Sequence, residues 1–243
     1  MTIGRRMAAE ALGTGFLLAA IVGSGIMGEQ LAAGNAALAL LANALATAAT
    51  LYVLITWLGP ISGAHFNPLV TVVMAARGDI GWSVAPAYIV MQFVAAVIGV
   101  VAAHLMFGLE PFAFSSHVRH GPSQWLSEFI ATFGLIGVIW VCSTRDSGVA
   151  AVVAAYIGGA YWFTGSTSFA NPAVTIARMM TDTFAGIRPM DVPGFLVAQA
   201  VGAGLAAILF AWLTPRKALA TTNGRSCELE PVSEPTPGAP TVV

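Results

Sequence analysis

The sequence predicts an all-α membrane fold, with six spanning helices and two re-entrant half-helices arranged as an inverted three-plus-three repeat. Three observations predict it. Hydrophobic residues make up 57% of the 243-residue chain and charged residues only 9%, against roughly 25% charged residues in a soluble domain. Such a chain cannot furnish a hydrated exterior, so lipid must be its solvent. Six stretches approach the roughly 20 apolar residues that a spanning helix needs. Two further segments each carry Asn-Pro at corresponding places in the two halves of the chain.

Taken in order, the first span is residues 7–27. Arg5 and Arg6 before it resemble the start of a signal peptide, but Glu10 inside the run and the length of the run favour a retained helix. The second span is 37–58. The segment 61–78, ISGAHFNPLVTVVMAARG, is too apolar for an ordinary loop. Spans three, four and five are 82–107, 125–141 and 148–163, the last being the shortest. The segment 164–182, TGSTSFANPAVTIARMMTD, mirrors the first apolar loop, and span six is 192–213. The membrane domain is thus 1–213, with half-repeats at about 7–107 and 123–213. Residues 214–243, rich in Pro, Thr and Glu, read as a disordered tail.

The repeat rests on ordered matches. Glu10 precedes Thr14 by four residues, as Glu128 precedes Thr132. Asn67-Pro68 matches Asn171-Pro172, and Thr71 matches Thr175. Pro86 precedes Gln92 by six residues, as Pro193 precedes Gln199. Each half has an odd number of spans, so the second half enters the membrane from the opposite side, a design that places a solute path at the repeat interface. With both termini cytoplasmic, Arg5, Arg6, Arg77, Arg145, Arg216, Lys217 and Arg225 lie inside and only Arg119, Arg178 and Arg188 outside, which fits the positive-inside bias.

Asn is a favoured N-cap and Pro a favoured first helical residue. Asn67-Pro68 and Asn171-Pro172 therefore each predict a helix start. About ten residues give a helix of about 15 Å, half of a bilayer core of about 30 Å. Two such half-helices meet N-terminus to N-terminus near the midplane. Their dipoles disfavour cations and protons there but leave neutral solutes alone. The Asn amides supply donors, and SGAHF and STSFA supply carbonyl acceptors along a cavity.

Several function classes are excluded. A net charge of −1 gives no nucleic-acid footprint. Cys142 and Cys227 are too few for a disulfide framework or a zinc site. No Ser-His-Asp order, phosphate loop or metal motif stands out, so the chain reads as a non-enzyme without cofactor or metal. His117 and His120, in SSHVRHG, lack a neighbouring Cys or carboxylate to complete a metal site. Gly13, Gly23, Gly99, Gly202 and Gly204 suit close helix packing. Glu10 and Glu128 are costly in a membrane unless paired, and serve either structure or a proton relay.

The paired segments SGAHFNPLVT and STSFANPAVT, set within six spans, resemble the aquaporin or major intrinsic protein family over about residues 8–213. The resemblance implies a homotetramer in the cell (inner) membrane, with one pore in each protomer passing water, glycerol or similar small neutral solutes. Its pore motifs fall on Asn67-Pro68-Leu69, with Leu for the usual Ala, and on Asn171-Pro172-Ala173. The next residue is Val174, where water channels of the family carry Arg. The family's spacing puts the remaining filter positions at Thr47, Gly159 and Ser168. That set has no aromatic ring, His or Arg, and implies a wide, mildly polar filter. It looks most like bacterial aquaglyceroporins associated with arsenic resistance, which implies arsenite, methylated arsenicals and polyols as solutes. The resemblance also places Glu10 and Glu128 behind the half-helix loops as acceptors of backbone N–H groups, with Gln92 and Gln199 joining them and His65 in the inner vestibule. A proton- or ion-coupled carrier is the alternative, since carriers share inverted repeats and broken helices.

Overall fold

Eight α-helices follow one another in the computed structural model, which describes residues 1–143 and 148–214. They are α1 (Ile3–Leu31), α2 (Ala36–Ser62), α3 (Pro68–Arg77), α4 (Ala85–Met106), α5 (Pro122–Cys142), α6 (Val149–Phe163), α7 (Pro172–Arg178) and α8 (Val192–Leu213), with a short 3-10 turn at Pro189–Asp191 before the last. The tail assigned to 214–243 lies outside the described residues beyond Thr214, as do Cys227 and the outermost charges of the orientation count.

Five of these helices are long and apolar enough to cross a membrane; α6, with 15 residues, is shorter. At 1.5 Å per residue it covers about 22 Å, most of a bilayer core. α1, α2 and α5 run past the apolar stretches that announced them, α4 and α6 fall just inside theirs, and α8 matches its own. α1 begins four residues before residue 7 and ends four after residue 27, because a helix continues into the polar interface where hydropathy no longer signals it. Large apolar side chains such as Leu45, Trp57, Trp162, Ile208 and Trp212 face outward. This is the exterior of a membrane protein.

The ends of the helices follow their capping residues. Asn35 Oδ1 accepts from the amides of Ala37 and Leu38 at the start of α2. Gly63 ends α2 and Gly78 ends α3, each at a φ near +90° that side chains resist. In the second half-helix, seven residues are helical where about ten were anticipated. The physical reason is competition for carbonyls: Arg178, Met179 and Met180 accept from the amides of Ile187, Ser115 and Ala113 at 2.9–3.2 Å. Bonds from neighbouring loops thereby replace the next helical turn. Asp182, in the same loop region, accepts from the Ser116 amide and hydroxyl, and these bonds hold its carboxyl below the usual carboxylate range.

The internal repeat is visible in the packing. α1 lies against α2 and α4, as α5 lies against α6 and α8. The half-helices are exchanged, with α3 packing on α8 as well as on its own α4, and α7 on α4 as well as α8. Two of the glycines singled out in the sequence make close crossings possible. A Cβ on Gly99 would strike the Gly15 carbonyl of α1, and one on Gly202 would strike the Phe129 carbonyl of α5. Gly13 makes room for the Phe66 ring, whereas Gly204 has open space around it. The chain termini of the described domain and the α2–α3 loop share one face, called here the terminal face; the α4–α5 and α7–α8 loops form the distal face.

Candidate functional site

The site begins where the two half-helices meet. Asn67 Oδ1 accepts from the Leu69 amide, and Asn171 Oδ1 from the amides of Ala173 and Val174. Each is therefore an N-cap, worth about 1 kcal/mol to its helix. Each Asn also donates across the interface at 2.8 Å, Asn67 Nδ2 to the Ala170 carbonyl and Asn171 Nδ2 to the Phe66 carbonyl. One side chain thus caps its own helix and ties it to the opposite loop. The second N–H of each amide remains for the cavity that both residues line.

The loops leading into these caps are strained. Ala64, Phe66, Thr167, Ser168 and Ala170 all have φ between +48° and +63°, which costs a residue bearing a Cβ roughly 1–2 kcal/mol. Two buried carboxylates hold them there. Glu10 Oε1 accepts from the Ser62 hydroxyl and the His65 amide, and Oε2 from the Phe66 amide and Gln92 Nε2, at 2.7–3.0 Å. Glu128 repeats the arrangement with the Ser166 hydroxyl, the amides of Phe169 and Ala170, and Gln199 Nε2, at 2.6–2.9 Å. Gln92 and Gln199 pass the network to Thr71 and Thr175, whose hydroxyls bond the carbonyls of Asn67 and Asn171. Four donors at each carboxylate satisfy a buried charge without a cation. The carbonyls of Gly63, Ala64, His65, Ser168 and Phe169 accept no hydrogen bond among the described residues. All five residues line the same cavity.

That cavity has a volume of about 580 Å³ and runs from Met1, Arg6 and Arg77 at the terminal face, past Asn67 and Asn171, to Val174 and Arg178. Its lining includes Thr47, His65, Ser168 and Val174. His65 Nδ1 lies 3.1 Å from the Thr71 hydroxyl and the ring meets Tyr88 edge-on. The Ser168 hydroxyl is buried without a partner. Gly159 is not on the lining. It is exposed on α6, with nothing near the position of its Cβ. The cavity face of α6 carries Val149, Val153, Ile157 and Tyr161 instead, and the Tyr161 hydroxyl donates to Thr47 Oγ1 at 3.3 Å. Counting back from Asn171 by the family's spacing therefore lands on a face of α6 turned away from this cavity, and the cavity lining gains an aromatic ring that the sequence reading left out.

The distal end carries more charge than expected. Arg178 lies one helical turn beyond Val174, on the same face of α7. It is 2% exposed and its guanidinium carbon sits 3.4 Å from the Phe169 ring centre. Its Nε donates to the Ala185 carbonyl. Arg119, from the α4–α5 loop, reaches the carbonyls of Ser166 and Gly186 and approaches the same ring at 5.1 Å. His117 and His120 are not brought together on a ligand: the His117 amide bonds the Ser115 hydroxyl, while the His120 ring pairs with Asp191 and meets Trp125 edge-on.

The family model described as major intrinsic protein matches residues 1–165. The chain belongs to the major intrinsic protein family. Members are channels and not enzymes. Aquaglyceroporin AqpS of Rhizobium meliloti (strain 1021) is 53% identical over 210 residues, covering 86% of this chain and 90% of the relative. Aquaporin NIP1-4 of Oryza sativa subsp. japonica is 32% identical over 183 residues, covering 72% of this chain and 66% of the relative. The solved structure of the aquaglyceroporin from Plasmodium falciparum superimposes with a TM-score of 0.71, covering 90% of this chain and all of that one at 19% identity. At that identity the match speaks to the fold alone.

Within this member of the family, sequence reasoning missed three residues of the distal region. Tyr161 lay two positions from the residue chosen on α6. Arg178 was read only as a charge on the outer side, although its four-residue spacing from Val174 was visible. Arg119 carried no local signal, because it reaches the site from a loop.

Proposed function

We propose that this major intrinsic protein is an aquaglyceroporin-type channel for glycerol-sized neutral solutes, including arsenite and methylated arsenicals. One observation carries the reading: a single cavity of about 580 Å³ reaches both Asn caps and carries Val174, not a guanidinium, at the position directly after the second Asn-Pro-Ala. A polyhydroxy solute needs donors and acceptors along its path. The Asn amides, the unpartnered Ser168 hydroxyl and the free loop carbonyls provide both. Arsenite is a neutral molecule with three hydroxyl groups and makes the same demands as glycerol. Val174 and the Phe169 ring give a methyl group an apolar wall. The similarity to a protein named as an aquaglyceroporin supports the solute size class. Thr47, Tyr161, Ser168 and Val174 form the narrow region in this reading.

The carrier alternative is disfavoured by the two repeated acids. A coupling group must be free to change protonation, and Glu10 and Glu128 each accept four hydrogen bonds. Arg6 and Arg77 at the terminal face support placing that face in the cytoplasm of the inner membrane. The exposed apolar helix faces fit a homotetramer in lipid.

Stopped-flow light scattering on proteoliposomes tests the function directly. Glycerol and arsenite should enter protein-containing vesicles much faster than empty ones, without saturation and without response to a pH gradient. Saturable uptake that follows the gradient would make the protein a carrier, and flux equal to empty vesicles would remove the channel reading.

A further inference from the structure

Val174 leaves the position directly after the second Asn-Pro-Ala uncharged, yet the distal end of the cavity is not without charge. Arg178 lines that end, is 2% exposed, and makes one side-chain hydrogen bond, through Nε. Its two terminal nitrogens have no protein acceptor among the described residues, and the surrounding acids do not reach it. Glu128 is saturated by its four donors, Asp191 is taken up by Arg188, His120 and the Arg119 amide, and Asp182 by Ser116. A buried guanidinium with unpaired N–H groups facing a cavity is expensive to keep. Arg119 stands behind it. Its guanidinium also approaches Phe169, and it lines a separate cavity of about 350 Å³ with His117, Gln124 and Phe184. The two guanidinium groups therefore lie beside the same Phe169 ring, Arg178 lining the main cavity and Arg119 the distal-face cavity. The repeat sharpens the point. The residue that corresponds to Val174 in the first half is Val70, and the residue that corresponds to Arg178 is Met74; both line the cavity.

We propose that Arg178, backed by Arg119, is the cation-excluding and solute-orienting group of this channel, one helical turn distal to the position that carries the charge in water channels of the family. The inference rests on the channel reading above and deepens it. Moving the charge outward by about 6 Å, one turn of helix, leaves the Val174 ring wide enough for bulky solutes. The positive field still meets any proton or metal cation before it reaches the Asn caps. The free terminal nitrogens offer two parallel donors, the geometry that suits a solute with two adjacent hydroxyl or oxo oxygens. A solute with a single oxygen gains less from them.

The experiment compares wild type with Arg178→Gln, Arg178→Lys and Arg178→Met in proteoliposomes. Proton leak is followed with an internal pH dye under an imposed potassium diffusion potential, and glycerol entry is followed in the same vesicles. Arg178→Gln should raise the leak on the order of tenfold to a hundredfold, the effect of one unit charge at about 6–8 Å on a cation at an effective dielectric near 20. Arg178→Lys keeps the charge and should keep the barrier, while losing preference for vicinal diols over monohydric alcohols. If Arg178→Gln does not assemble, Arg178→Met, which preserves the apolar stem against Phe169, serves in its place with the same expected leak. Unchanged leak in an assembled Gln or Met variant overturns the proposal, as does an increase in the Lys variant equal to theirs. A wild type that passes no glycerol defeats the channel reading instead, and the two failures are separate because each has its own signal.

Discussion

Replacing Glu128 with Gln changes one atom, and its consequence can be worked from the hydrogen bonds. The carboxylate accepts from four donors at 2.6–2.9 Å, two at each oxygen. A Gln amide offers one acceptor oxygen, and its NH2 would confront two of the four donors, either the Ser166 hydroxyl and the Phe169 amide or the Ala170 amide and Gln199 Nε2. Whichever way the amide turns, two hydrogen bonds to a charged acceptor are lost, each worth about 1.5–3 kcal/mol, and the stranded N–H groups stay buried. Removing the buried charge offsets part of this, so a net loss of about 3 kcal/mol is expected. For a chain of this size that corresponds to a fall in Tm of roughly 6–12 °C. The assay is thermal unfolding of the detergent-solubilised protein, followed by tryptophan fluorescence, with glycerol flux measured on the folded fraction. Glu10→Gln should behave alike, since its carboxylate holds the corresponding loop. Channels that survive should conduct without pH coupling. A Tm within about 1 °C of wild type, or normal folding with loss of a proton-driven uptake, would show that the carboxylates are not the supports described.

Two further outcomes follow from the geometry. Asn67→Asp and Asn171→Asp keep the capping oxygen but lose the donor to the opposite loop, whereas the Ala variants lose both; solute flux should fall in all four, and unchanged flux at normal expression in the Ala variants would defeat the midplane arrangement. In the narrow region, Val174→Arg should abolish most uptake of methylated arsenicals while sparing water, and Tyr161→Ala should shift the ranking toward larger polyols where Gly159→Ala does not; an unchanged ranking in the first two would remove them from the constriction.

Much of the fold was legible because the information was local or repeated. Two Asn-Pro starts, two buried acids and two glutamines recur in the same order, and each type has a narrow range of uses inside a membrane. The spans were legible from hydropathy, although their ends were not, because α1 and α2 continue helically into polar surroundings. Two features were hidden for different reasons. Gly159 was placed by counting, and counting assumes that the turn between α6 and the Asn cap is traversed as in the family at large. Counting does not say which face of α6 looks inward, and between α6 and the Asn cap Thr167, Ser168 and Ala170 are left-handed, which no residue preference announces. The seven-residue α7 was hidden because its end depends on amides from two distant loops.

The repeat also explains why the distal half is not simply a copy of the terminal half. Most cavity positions keep symmetry: Asn67 with Asn171, Val70 with Val174, Phe66 with Ala170 in the same left-handed conformation. Among the pairs whose side chains differ, two exchange a ring or a charge. His65 on the terminal side corresponds to Phe169 on the distal side, and Met74 corresponds to Arg178. The first break exchanges a polar ring bonded to Thr71 for an apolar ring that two guanidinium groups approach. The second exchanges a flexible apolar side chain for a fixed charge. The two are coupled, because a guanidinium buried without an acid gains from lying on the face of an aromatic ring, and Phe169 offers that ring to both Arg178 and Arg119. Phe169 is thus the residue that lets Arg178 remain buried at the end of the cavity, and Val174 restores the symmetry of the ring below it. The uncharged position after the Asn-Pro-Ala motif is then one half of a rearrangement whose other half is the Phe169–Arg178 pair.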